Sequence, residues 1–352
     1  MARIGKRLLM GAMSSVLVGA ALTGTASAGH VGCGDVITED TTLDSDVGPC
    51  DGTALTIGAD GITLDLGGHR VFGDGDGDAP GILIEDRQGV LVTKGRVELF
   101  GTGVAIVGGS ANTVSKVEAS DNVGAFRGDF GEGFLVDSSS NNLLSKNVAR
   151  RNGPYAGITL LGDASHNTID KNLVEFNNIL SSPRGPQQDD GIRLENGANN
   201  NTITKNGVYD NGLDGIALFA DTFDNVVQKN DIRRNGAHDQ IHRQGDGIAV
   251  FNRSTGNLIE KNNVFDNGAN GIFLRGPIVR PTFSAPGATN NEVLKNATGN
   301  NGPIPGPGGA RYDLRDNNPA CDANRWFRNT YLTAFPECTT AGGSGPSRGS
   351  PS

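Results

Sequence analysis

The stretch Asn201-Thr202-Ile203-Thr204-Lys205-Asn206-Gly207-Val208-Tyr209-Asp210-Asn211-Gly212-Leu213-Asp214-Gly215-Ile216-Ala217-Leu218 decides the fold. It holds two signals. In the first, an Asn is followed two positions on by an apolar residue, two further by Lys, and ten positions from its start by a second Asn. The second signal is Gly-apolar-x-apolar. Both recur along the chain. The Asn pairs are Asn112/Asn122, Asn142/Asn152, Asn167/Asn177, Asn201/Asn211, Asn225/Asn235, Asn257/Asn267 and Asn291/Asn301, each 10 apart. The Lys between them is Lys116, Lys146, Lys171, Lys205, Lys229, Lys261 or Lys295. Asn follows that Lys in six of the seven, with Val117 the exception. The glycine signal begins at Gly81, Gly103, Gly133, Gly157, Gly191, Gly215, Gly247 and Gly271, with a period of 22 or 24 where nothing is inserted.

A period of this length carrying one short alternating strand predicts one coil per repeat. Ile192 and Leu194, like Ile216 and Leu218, should face inward and the residue between them outward. One coil has too little apolar surface to stand alone, so coils must stack. Tight corners need left-handed or bridge conformations, for which Asn and Gly are the expected residues. Stacked Asn amides can also bond along the axis. Roughly ten coils at about 4.8 Å each predict a rod near ~48 Å long.

The Asn-x-apolar-x-Lys-Asn and Gly-apolar-x-apolar rows resemble the right-handed parallel β-helix superfamily. Within it they are most similar to NosD-type and carbohydrate-associated β-helices, over about residues 52–320. Ile62-Thr63-Leu64-Asp65-Leu66-Gly67-Gly68-His69 resembles the opening coils of such proteins. The resemblance implies an all-β solenoid and a place among pectate lyases, polygalacturonases, epimerases, phage tailspikes and proteins without known catalysis. Asp189-Asp190 is followed by neither Gly-His-Gly nor Arg-x-Lys, so the polygalacturonase pattern is not reproduced.

Composition agrees with a repeat. Of 352 residues 53 are Gly, and only 5% are aromatic, which argues against a compact helical enzyme. Residues 1–28 read as a secretory signal: Arg3, Lys6 and Arg7, an apolar run from Leu8 to about Leu22, then Ala26-Ser27-Ala28. Removing them leaves 27 basic against 39 acidic side chains, a charge of −12. Such a chain is a poor non-specific binder of nucleic acid. No later stretch is apolar enough to span a bilayer. The domain is expected over 29–338, with a disordered tail at 339–352 rich in Gly, Pro and Ser. Export permits disulfides. Cys33 with Cys50 and Cys321 with Cys338, each 17 apart, is the most economical of three pairings and would staple both ends.

The repeat is irregular at one corner. Between the second Asn of a coil and the next strand Gly, long and short loops alternate, with 10, 4, 13, 3, 11 and 3 residues. Loops on a rigid scaffold are where sites are built. The residue before each strand Gly forms a column: Glu132, Ala156, Asp190, Asp214, Asp246, Asn270. Asp190, Asp214 and Asp246 should therefore be vertical neighbours. Like charges so close disfavour joint ionisation, so one carboxyl should rise in pKa or a cation should neutralise the set. Asp before Gly is also an ordinary turn residue. A catalytic reading takes Asp190 and Asp214 as the acid/base or nucleophile pair of glycoside cleavage, Asp246 as modulator or cation ligand, and His242 beside it. Arg193 would hold an acidic group of the substrate and, with His242, orient it; Asp189 and Arg243 would be further substrate-binding residues, and Phe273 would offer a sugar platform over the small outward residues Ala217 and Ala249.

Two further features stand apart. Asp74, Asp76 and Asp78 alternate with Gly as in a calcium loop, though Ala79 stands where such a loop needs Gly. The Lys column reads either as a track for a polyanion or as a solvated face beside Asp170 and Glu260. Two functions follow. One is a secreted monomer acting on polysaccharide as a hydrolase or lyase, with Ca²⁺ as the candidate ion; His238 and His242, without a third nearby ligand, are a weak copper or zinc signal. The other is a non-catalytic cell-surface or matrix β-helix that binds glycan or divalent cations.

Overall fold

The computed structural model describes residues 30–77, 79–124, 131–177, 190–237, 245–280, 283–302 and 310–345. The expected signal segment, 1–28, lies outside them. From Val31 onward the chain forms one compact unit. It is a right-handed parallel β-helix, and among the described residues it is all-β apart from two single 3₁₀ turns, Pro319–Cys321 and Glu337–Thr340. Among the described residues no helix is long and apolar enough to cross a membrane.

One strand per coil forms a front sheet of twelve. The repeat-bearing members include Glu132–Asp137, Ala156–Leu161, Asp190–Glu195, Ile216–Phe219, Ile248–Val250 and Ile272–Leu274. The rungs outside the repeat lie at the ends: Asp35–Ile37 and Leu55–Ile57 at one, Leu314–Asp316 and Ala334–Phe335 at the other. Two rear ladders complete the coils. Leu143–Ser145 pairs with Thr168–Asp170, and Val148–Arg150 with Leu173–Glu175, all parallel. Register is fixed by the inward residues: Ile192 pairs with Ile216, Ile216 with Ile248 and Ile248 with Ile272, all fully buried. A one-residue slip would turn that column outward and lose about 1.5–3 kcal/mol per side chain.

The Asn residues form three buried ladders. In one, Asn201 Oδ1 accepts the Asn167 backbone N–H at 2.9 Å and its Nδ2 at 3.0 Å, while Asn201 Nδ2 donates to Ala164 O at 2.8 Å. A second ladder runs through Asn147, Asn172, Asn206 and Asn230. A third runs from Asn122 to Asn301 and closes on Asp313. At the exception, Val117, only the backbone N–H remains to bond Asn147 Oδ1.

The corners differ from expectation in one respect. The left-handed residue is the Lys, with φ between 56° and 58° at Lys94, Lys116, Lys146, Lys171, Lys205, Lys229, Lys261 and Lys295. The Asn sits one position on because its amide must face the interior. Both disulfides form as paired above, Cys33–Cys50 and Cys321–Cys338. They fit a non-cytoplasmic location. The tail is ordered past the expected boundary. Thr339 is buried, its hydroxyl donates to Pro336 O, and Ser344 bridges Thr330. Hydrogen bonding to the last coil, not composition, decides the conformation of residues 339–345.

Candidate functional site

The Asp column forms in register. Asp190 Oδ1 accepts the Asp214 N–H at 3.0 Å. Asp214 Oδ1 accepts the Asp246 N–H at 2.7 Å, and Asp246 Oδ1 accepts the Asn270 N–H at 2.7 Å and its Nδ2 at 2.8 Å. Asn270 Oδ1 then accepts the Tyr312 N–H at 3.0 Å. All three aspartates are buried. Each thus holds the coil above it, the same work that Asn does in the ladders.

The electrostatics follow from that burial. Asp190 is raised by burial, partly offset by the charge of Arg193. Asp214 is pushed well above the carboxylate range, first by burial and then by the charges of Asp190 and Asp246. Asp246 is pushed up to about 6 by burial, with the Asn270 hydrogen bonds opposing. The spacing predicts one raised carboxyl from like-charge repulsion. Desolvation is the larger cause and raises all three.

Arg193 is not free to hold a substrate acid, as the sequence suggested. Its guanidinium donates to Asp190 Oδ2 at 2.7 Å and through Nε to Glu195 Oε2 at 2.9 Å. A second nitrogen pairs with the same Glu195 oxygen at 2.9 Å without hydrogen-bond alignment. Tyr155 donates its hydroxyl to Glu195 Oε1. Burial works against the Arg193 charge, but Asp190 and Glu195 outweigh it and its pKa is raised. Thr159, paired with Arg193 across the sheet, is fully buried, and its hydroxyl has no hydrogen-bond partner among the described residues.

From this cluster an aromatic row runs up the outward side of the front sheet. Phe219 and Phe251 meet edge-on at 5.6 Å, and Phe251 and Phe273 at 6.1 Å. Arginines stack against each ring: Arg193 on Phe219 at 4.2 Å, Arg275 on Phe251 at 5.5 Å, Arg315 on Phe273 at 5.4 Å. Ala217 and Ala249 are buried between them. The half-buried Phe273 expected as a platform is thus one of three. Sequence reasoning missed Tyr155, Glu195, Phe219 and Phe251. A signal is present: Glu195, Phe219 and Phe251 occupy the second outward position of their strands, four past Gly191, Gly215 and Gly247.

Of the other predicted site residues, those that the structure describes lie apart from this group. Asp189, His238, His242 and Arg243 lie outside the described residues, as does Asp78. Asp74 Oδ1 accepts the Asp76 N–H at 3.0 Å, the geometry of an acidic turn. Among the described residues no three His, Cys, Asp or Glu are placed to hold a metal ion. An open depression of about 340 Å³ lies elsewhere, among Asp46, Arg70, Arg96 and Glu118, whose charges pair with neighbours across the coils.

Solved structures with the same architecture include the periplasmic alginate epimerase AlgG, 13% identical, with TM-score 0.59 over 86% of this chain and 76% of that one. A point variant of AlgG matches at 14% identity and TM-score 0.58 over 84% of this chain, which spans 65% of that chain's length. Pectate lyase Pel9A matches at 16% identity and TM-score 0.53, over 82% and 71%. Dettilon tailspike protein matches at 19% and 0.55, over 85% and 54%. Such identities show a shared fold. No curated protein matches the chain in sequence. The family model described as "Periplasmic copper-binding protein (NosD)" matches residues 67–271 and 176–302. The described residues do not fit a copper site. Copper favours thiolate, thioether and imidazole ligands. All four cysteines are bonded in pairs, the three Met lie within residues 1–13, and His69 sits beside Asp46. The two matched segments together span residues 67–302 of 352, and the chain belongs to the NosD family.

Proposed function

We propose that this protein is exported to the extracellular space as a monomer and binds a polysaccharide along the outward side of its front sheet. The observation that carries this is the row Phe219, Phe251 and Phe273 with an arginine stacked on each ring. Aromatic rings at about one-coil spacing offer apolar contacts to successive sugars, and guanidinium groups suit hydroxyls and carboxylates. Architecture shared with an alginate epimerase and a pectate lyase supports a polysaccharide ligand. Retention on a panel of immobilised polysaccharides tests it. Phe251→Ala should lose retention with its unfolding midpoint unchanged, and equal retention would refute the reading.

A second reading, cleavage, is favoured by Asp214. A carboxyl pushed well above the carboxylate range beside Asp190, whose charge Arg193 stabilises, is the pairing a general acid needs. Its participation requires the ladder to release Asp214 to solvent. Mass spectrometry of the same panel after incubation, with and without chelator, separates the outcomes. Unsaturated ends indicate a lyase, saturated ends a hydrolase, and no fragments binding alone.

A further inference from the structure

The coils turn through left-handed residues at several places, and three of these corners, at either end of the two rear ladders and between them, provide an internal control. At the first, the left-handed position holds Ala111, Asn141 and His166 in successive coils. At the third it holds Arg151, Phe176 and Asp210. The φ values at these positions lie between 51° and 59°. The backbone therefore tolerates small, aromatic and charged side chains there. At the middle corner the same conformation holds Lys in eight successive coils, from Lys94 to Lys295, and Arg328 continues the column. Backbone geometry does not ask for Lys, since left-handed residues are more often Asn, Asp or Gly. Nor does ion pairing. Lys94, Lys171 and Lys261 meet Asp65, Asp170 and Glu260. Lys116, Lys146, Lys205, Lys229 and Lys295 are exposed and pair with no carboxylate among the described residues.

Like charges stacked one coil apart repel. A column of them, about 4.8 Å apart at the backbone, is a standing cost in a chain whose formal charge is −9. The cost is removed when a counter-charge of matching form lies along it. We propose that this column docks a linear anionic polysaccharide. A single file of cations fits one polymer strand, whereas a duplex or a membrane surface needs breadth. The corner lies between the two rear ladders, away from the front sheet. The rod can therefore be held along its back while the aromatic row stays open. This docking does not depend on what the front sheet binds.

The test uses the secreted chain with polygalacturonate, neutral dextran and single-stranded oligothymidylate as probes, over a range of salt. The expected result is salt-dependent binding of polygalacturonate and none of dextran. Lys146→Glu, Lys205→Glu and Lys229→Glu combined should weaken it at least tenfold with the unfolding midpoint unchanged. The corresponding Lys→Gln triple should reduce the slope of log K against log salt by roughly 2. If the charge-reversed chain is not exported, the Gln triple alone carries the comparison. Phe251→Ala should leave this binding intact, which separates it from the front-sheet reading. Absence of polygalacturonate binding, or no loss in either triple variant, overturns the proposal. Equal, lysine-dependent affinity for oligothymidylate also overturns it, in favour of nucleic acid.

Discussion

Asp214 Oδ1 accepts the backbone N–H of Asp246 at 2.7 Å, so the carboxyl pushed well above its ordinary range is also the one that holds the next coil in register. A protonated Asp and an Asn present the same acceptor oxygen, and Asn270 takes up the column where Asp246 leaves off.

The raised pKa values set the direction of the pH dependence. An Asp whose folded pKa lies above its unfolded value binds its proton more tightly when folded. Its contribution is full below the unfolded value and is lost as pH rises through the folded one. For Asp246 the window runs from the ordinary 3.8 to about 6, and Asp214 shifts in the same direction. Urea unfolding across that window should show stability falling with pH. Asp214→Asn with Asp246→Asn should flatten the fall, and an unchanged slope would count against the shifts.

The Asn206 side chain bonds to the coils on both sides. Its Oδ1 accepts from Asn172 twice, at 2.8 and 3.0 Å, and its Nδ2 donates to Ile169 O at 2.9 Å and to Asn230 Oδ1 at 3.0 Å. Asn206→Ala strands buried donors and acceptors, at about 1–3 kcal/mol for each group left without a partner. The urea midpoint should drop well beyond that of Asn263→Ala, a control at an exposed strand position.

Arg193→Ala should be among the most damaging substitutions on the outward face. It leaves Asp190 and Glu195 buried without their cation, and breaking such a pair costs about 3–5 kcal/mol. Adding Asp190→Asn and Glu195→Gln removes the orphaned charges. The triple variant should recover much of the lost stability in the same unfolding assay; no recovery would mean that Arg193 acts through packing on Phe219.

Ile216 is fully buried in the inward column. Ile216→Asp places an unpaired charge in that column and should abolish export of folded protein. A normal secreted yield would contradict the inward assignment.

Much of this architecture is legible in the chain because a repeat writes each structural decision many times. Period and alternation identify the coil and its inward face, the ten-residue Asn spacing identifies the ladders, and both cysteine pairs meet as expected. The corner chemistry is not legible in the same way. Lys and Asn stand side by side at six of the middle corners, and only the backbone shows that Lys205, not Asn206, takes the left-handed turn. The Asp column lies where its spacing puts it. Its burial cannot be read from spacing, because burial depends on what the outward face packs against. Arg193 reads as a free cation for the same reason. Its partner Glu195 is two residues away on the same strand, and Tyr155 is brought to that carboxylate only by the winding of the coil.

The ordered segment after Cys338 has a consequence for the size of the particle. Ala341 O accepts the Arg328 N–H at 3.0 Å, Ser344 O accepts the Tyr331 N–H at 3.1 Å, and the Ser344 N–H reaches Asn329 O at 3.0 Å. These few residues behave as a lid on the upper end, filling backbone positions that another rung would otherwise occupy. A chain cut at Cys338 would expose that template, and an open template recruits strands from other molecules. Residues 339–345 thus cover an edge along which copies of the chain would otherwise add strand to strand.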